Sequence, residues 1–154
     1  MLAGLQLFIG LTALAGGYQL VSDPSGISAG VPLQWLGGSP FQDYLIPGWT
    51  LLVVIGVGSA GASLATALGH RLFGKLAVVQ GALLVVYIAV EVWAIGWRVA
   101  PQPLYLMLGL VQIVFGRYLD RTAAGFLRNV APEITRQPAG GEGFFGQGHP
   151  GRRH

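Results

Sequence analysis

The sequence predicts an all-α polytopic membrane protein: a four-transmembrane-helix bundle with an ordered outer loop and a C-terminal amphipathic interfacial helix. Three observations predict it. Only 10% of the residues are charged and 53% are hydrophobic, whereas about a quarter of a soluble domain is charged. The apolar residues gather into separate runs long enough to cross a hydrocarbon core of about 30 Å as helices. The basic residues fall almost entirely on one side once four crossings are counted.

The first run, residues 1–20, is about 30 Å long if helical. Ala13-Leu14-Ala15 has the small-x-small form of a signal cleavage site, but no Lys or Arg precedes the run. A retained first span is therefore expected over a cleaved signal. Residues 21–47 are dense in Pro, Gly, Ser and Asp and read as a structured loop on the membrane surface. Asp23-Pro24-Ser25-Gly26 has the composition of a β-turn. Ser39-Pro40 is expected to cap a short helical turn over Phe41 to Leu45. Trp35, Phe41 and Tyr44 suit headgroup depth. The loop holds two carboxylates, Asp23 and Asp43, and no basic residue.

The second span, residues 48–69, is crowded with small residues. Gly58/Ala62 and Gly61/Ala65 are small-x-x-x-small pairs that let another helix approach closely. Ser59, Ser63 and Thr66 form a hydroxyl stripe. Gly56-x-Gly58-x-x-Gly61 matches a dinucleotide fingerprint only in its letters, since no strand precedes it.

The third span, residues 75–98, is the most informative. At about 100° per residue, Gln80, Tyr87, Glu91 and Arg98 share one face, and Trp93 and Trp97 occupy the other. A membrane helix turns such a polar stripe toward protein or water. Pro101 and Pro103 mark the turn into a fourth span, residues 101–119, in which Gln112 is the strongly polar interior residue. Over 120–131 the apolar and basic residues separate. Leu119, Ala123, Phe126, Leu127 and Val130 share one helical face, while Arg117, Arg121 and Arg128 lie opposite, available to lipid phosphates. Pro132 is expected to end this helix, and residues 132–154 read as a disordered cytoplasmic tail.

With four spans, Arg71, Lys75 and the C-terminal arginines lie on one side and Arg98 on the other. Both termini are thus expected in the cytoplasm, with Asp23, Asp43 and Arg98 together outside. The absence of Cys excludes disulfides, thiol redox chemistry and Cys-ligated metals. Without a basic patch interleaved with aromatics, nucleic acid is not an expected partner.

Glu91 carries two readings. It is a proton- or cation-binding acid on a polar path with Gln80, Tyr87, Gln112 and the second-span serines, or a carboxylate that fixes helix register through Arg98, Tyr87 or a neighbouring helix. Arg98 likewise either binds an anionic headgroup or pairs internally with Asp23, Asp43 or Glu91. His70, in a turn with Arg71, reads as an interfacial residue. No residue is assigned to catalysis, to a cofactor or to a metal.

DPSG, then GVPLQWL, then SPFQDYLIPG leading into a glycine-rich span resembles a group of small bacterial four-span membrane proteins. The resemblance covers roughly the first half of the chain and implies a bacterial inner-membrane setting without a specified activity. The span count is similar to that of DoxX-like proteins, whose motifs find no residue-by-residue counterpart here.

The leading expectation is a non-catalytic accessory or assembly subunit, in contact with membrane lipid and with other membrane proteins or a second copy. It follows from the surplus of small-residue faces over catalytic groups. Two alternatives are a small transporter or channel using Glu91, and a membrane enzyme acting on lipid or quinone at the outer face. The enzyme requires Asp23, Asp43 and Arg98 to converge on an open pocket.

Overall fold

A computed structural model of the chain describes residues 1–70 and 72–136, with side chains through residue 122. Among these residues all regular structure is helical. Helix α1 is Leu2–Ser22, α2 is Leu45–Ala67, α3 is Phe73–Ile95 and α4 is Pro101–Arg136. A 3₁₀ turn, Leu33–Leu36, lies in the α1–α2 connection. Helices α1, α2 and α3 are each long and apolar enough to cross a membrane.

Two local expectations are corrected. The short helical turn over Phe41 to Leu45 does not form, and α2 starts at Leu45. Instead the Ser39 hydroxyl accepts the Phe41 amide at 3.3 Å, and Asp43 accepts the Leu45 amide at 3.0 Å. Such local side-chain bonds hold the backbone in turns. Nor is the segment 120–131 a separate helix that stops at Pro132, because α4 continues to Arg136. Proline's fixed φ is itself helical, and near a helix end it forfeits little more than one backbone bond. The Arg71 residue, the Arg128 side chain and the tail from residue 137 lie outside the described residues. The chain divides between Asp120 and Arg121, and the packing and the site described below are those of the first unit.

Close backbone approach at glycine sets the packing. Between α1 and α2, a Cβ on Gly10 would stand 3.0 Å from the Ala60 nitrogen, and one on Gly17 would stand 2.5 Å from that of Leu52. Gly56 likewise receives Leu14, and Gly48 receives Leu20. Between α3 and α4, Gly74 faces Gly116 and Gly81 faces Gly109, so two glycines seven residues apart on each helix meet in antiparallel register. Small residues are favoured at such crossings because contact between backbones replaces the hydrophobic drive that lipid removes.

The surface is apolar where that of a soluble protein would be polar, and several polar side chains are buried beside an apolar core. Gln6, Ser59, Gln80, Gln102 and Gln112 are buried, while Phe8, Leu11, Val57, Leu64, Val86, Trp93, Met107 and Val114 are among many exposed apolar residues. One core cluster, Ile9, Ala13, Ile55, Leu84 and Ile88, fills the middle. A second, Val31, Leu36, Tyr44 and Ile95, with Trp35 and Phe41 packed on it, ties the α1–α2 loop to the end of α3.

The loop itself is built around Gly26. Its amide closes the expected turn onto the Asp23 carbonyl at 3.0 Å, and its carbonyl accepts the Val31 amide at 2.9 Å. Gly26 has φ +74°, and a Cβ there would strike the Val31 carbonyl and the Tyr44 ring. No other residue type fits this position.

Candidate functional site

The polar stripe of α3 divides into two environments. At its N-terminal end, Gln80 is spent on helix packing. Residues Thr50–Val57 of α2 form a π-helical segment, in which the Gly58 amide reaches back to the Val53 carbonyl. When the α register resumes after Gly58, the pattern of donors steps over the Val54 carbonyl. Gln80 fills that gap, its Nε2 donating to the Val54 carbonyl at 3.0 Å, to that of Ile55 at 3.3 Å and to the Ser59 hydroxyl at 3.1 Å. Gly58 is the space the Gln80 amide occupies, since a Cβ there would stand 2.7 Å from its Oε1.

The hydroxyl stripe of α2 is committed in the same way. Ser63 donates to the Ala3 carbonyl at 2.8 Å, and Thr66 donates to Gln6 Oε1, also at 2.8 Å. Ser59, Ser63 and Thr66 therefore join α2 to its neighbours instead of lining a path to Glu91. Gln112, expected on that path, is fully buried, and neither end of its amide has a partner.

Three turns toward the loop, Glu91 is placed differently. Its hydrogen-bond donor is Gln102 Nε2 at 3.3 Å. No ion pair joins it to Arg98 or to any other described residue. Gln102, which is 1% exposed, is held by the α3–α4 turn. Its Nε2 also donates to the Gly96 carbonyl at 3.1 Å, and its Oε1 accepts the Arg98 and Val99 amides at 3.1 and 3.3 Å. Tyr87, one turn before Glu91, donates to the Pro47 carbonyl at 3.5 Å.

Glu91 and Tyr87 stand between two cavities. One, of about 220 Å³, lies among α2, α3 and the loop, and its wall is apolar apart from Glu91, Tyr44, Tyr87 and Thr50. The other, of about 240 Å³, lies among α1, α3 and α4 and adds Thr12, Gln19, Gln102 and Tyr105. Tyr44 reports the electrostatics of the first. Burial raises its phenol above the usual value, the Glu91 charge adds to that, and Arg98 opposes it.

The loop charges do not gather here. Asp23 is held by the Ser25 hydroxyl, by the Ser28 amide at 2.9 Å and by the Ser25 amide at 3.2 Å. The Ser25 hydroxyl bond, followed by that from the Ser28 amide, keeps its carboxyl below the usual range. Asp43 accepts the Leu45 amide at the start of α2, and the Arg98 guanidinium lies over Trp35, 5.7 Å from the ring centroid. None of the three lines either cavity. Among the predicted packing residues, Ala62 is buried and Ala65 half-buried, whereas Gly61 is exposed with open space at its Cβ position. Arg117 and Arg121 are exposed.

Two features escaped the sequence reading. Gln102 gave no periodic signal, because it sits in the first turn of α4. The α3–α4 glycine seam did leave one, the seven-residue spacing of Gly74 and Gly81 and of Gly109 and Gly116. No protein-family model, curated protein or solved structure matches the chain, so function has to be read from this geometry.

Proposed function

We propose that this is a four-span membrane protein in which Glu91 is a membrane-embedded acid that binds a proton or a cation, as a small transporter or channel requires. The observation that carries this reading is the position of Glu91: a carboxylate with one neutral donor and no cationic partner among the described residues, on the wall of two cavities. A carboxylate kept only for register would be expected to carry its compensating charge beside it, because an uncompensated ion in the bilayer interior costs several kcal/mol.

The fourth span in this proposal is α4. Its outward residues Leu104, Met107, Leu110, Val114 and Phe115 are exposed and apolar, while Gln102 and Gln112, which lower its hydropathy, are buried. Lys75 and Arg117 then lie at the end opposite the α1–α2 loop. On the positive-inside rule this reading has that end in the cytoplasm and the loop outside. The exposed arginines are free to meet lipid phosphates.

The accessory-subunit reading takes second place, since most of the glycines that motivated it are used between the chain's own helices. Gly61, exposed beside Ala65, is the part of that surface still open to a partner or a second copy. Stoichiometric co-purification of another membrane protein in mild detergent would restore it to first place. The outer-face enzyme loses its basis, because Asp23, Asp43 and Arg98 do not converge on a pocket.

Proteoliposomes test the main reading. A pH or cation gradient is expected to drive a flux that Glu91→Gln abolishes while the purified variant keeps its helicity and elution volume. A flux unchanged in Glu91→Gln, or no flux from the folded wild type for protons or any monovalent cation tried, overturns it.

A further inference from the structure

Resting on the reading of Glu91 as a binding acid, we propose that the cavity among α2, α3 and the loop is a site for a small organic ammonium ion with an apolar body, reached from the bilayer. The access route follows from its rim. Ile46, Val54, Leu83, Val86 and Val90 border the cavity and are exposed between α2 and α3. Where those helices span a bilayer, that mouth opens to lipid.

The class of ligand follows from which polar atoms remain unspent. The Thr50 hydroxyl donates to the Ile46 carbonyl at 2.9 Å, that of Tyr44 to the Pro32 carbonyl at 3.4 Å, and that of Tyr87 to the Pro47 carbonyl. What is left is acceptor capacity on Glu91, whose carboxylate offers about four lone-pair sites and uses one on Gln102. While Glu91 is ionised, an anion or a pure acceptor such as a quinone finds no donor on the described wall.

A bare metal ion is also poorly served. It takes about six oxygen ligands, and no group of three acidic or histidine side chains exists among the described residues. An ammonium head on Glu91 satisfies both the acid and the ligand, and Phe41, Tyr44 and Tyr87 line the same wall, aromatic residues being the type that attracts a cation. The aliphatic wall takes the apolar body. At about 220 Å³ the cavity is smaller than the roughly 300–1,000 Å³ usual for ligand pockets, so the ligand is small.

Benzyltrimethylammonium and its uncharged isostere neopentylbenzene separate charge from shape. Binding is measured by calorimetry to the full chain in nanodiscs of zwitterionic lipid. The cation is expected to bind saturably, to be weakened at least tenfold by Glu91→Gln, and to be excluded by Val86→Trp, which fills the mouth from the exposed rim and leaves the acid in place. Neopentylbenzene should be indifferent to Glu91→Gln.

Equal cation affinity in wild type and Glu91→Gln, or undiminished binding to Val86→Trp, overturns the site. If Glu91→Gln does not fold, Val86→Trp decides. Glu91-dependent proton flux without saturable cation binding overturns this ligand and leaves the acid's role standing. Saturable Glu91-dependent binding without flux upholds the site and removes transport.

Discussion

Gln80 and Glu91 lie on the same face of α3, about 16 Å apart along its axis, and meet opposite circumstances. The two amide hydrogens of Gln80 are shared among three acceptors on α2, and the amide fits a space left by Gly58. Glu91 accepts one, from Gln102, with a cavity on either side. A buried polar group that is fully engaged holds helices together. One that is half engaged, beside open space, is available to something else. The same sequence pattern therefore serves structure at one end and binding at the other.

Four experiments break or sharpen this contrast. The largest effect is expected beside Gln80, at the glycine crossing. Gly81→Val places a Cβ about 2.7 Å from the Gly109 carbonyl, and such overpacking against backbone costs roughly 3 kcal/mol. Loss of the folded fraction in a detergent unfolding titration checks it. Gln80→Leu comes next. It strands the Val54 carbonyl and is expected to cost about 1–3 kcal/mol, with faster hydrogen exchange confined to Thr50–Val57. A variant as stable as wild type would remove Gln80 from the structural side.

Glu91→Gln should change stability by less than about 1 kcal/mol, since the amide oxygen still accepts from Gln102 and a desolvated carboxylate is no longer needed. Its loss of flux with little loss of stability is the inverse of Gln80→Leu. The smallest effect belongs to Asp23, far from both. Its folded carboxyl titrates below the ordinary value of 3.8, so its contribution to loop order is complete above that pH and is lost as pH falls through the lower folded value. Proteolysis of the loop across pH 5 to about 2 should show a step at the acid end, which Asp23→Asn removes.

The spans and the structured loop were legible because each is a local matter. The runs ending near Ser22, Ala67 and Ile95 announce themselves by composition, and the Asp23–Gly26 turn by its residue types. Trp97 and Arg98 lie past the third helix, which ends at Ile95 and not at residue 98, but the outward direction of Trp93, exposed as the helical period predicts, was legible too. Partners were not. Arg98 was expected to face a carboxylate, and it lies on Trp35 because Asp23 and Asp43 find backbone donors within two to five residues. A short loop closure outcompetes a long one on entropy.

The small-residue motif on α2 shows the same limit. Gly58 and Gly61 are alike in sequence, yet one receives Gln80 and the other faces outward. Sequence alone determined which long segments are helical and apolar, and that the third of them carries a carboxylate on its polar face. Tertiary structure decided which polar groups spend their hydrogen bonds on each other and which acid is left beside a void. The reason is that satisfaction of a buried group depends on how close another helix comes, and that distance is set by glycines on both helices at once.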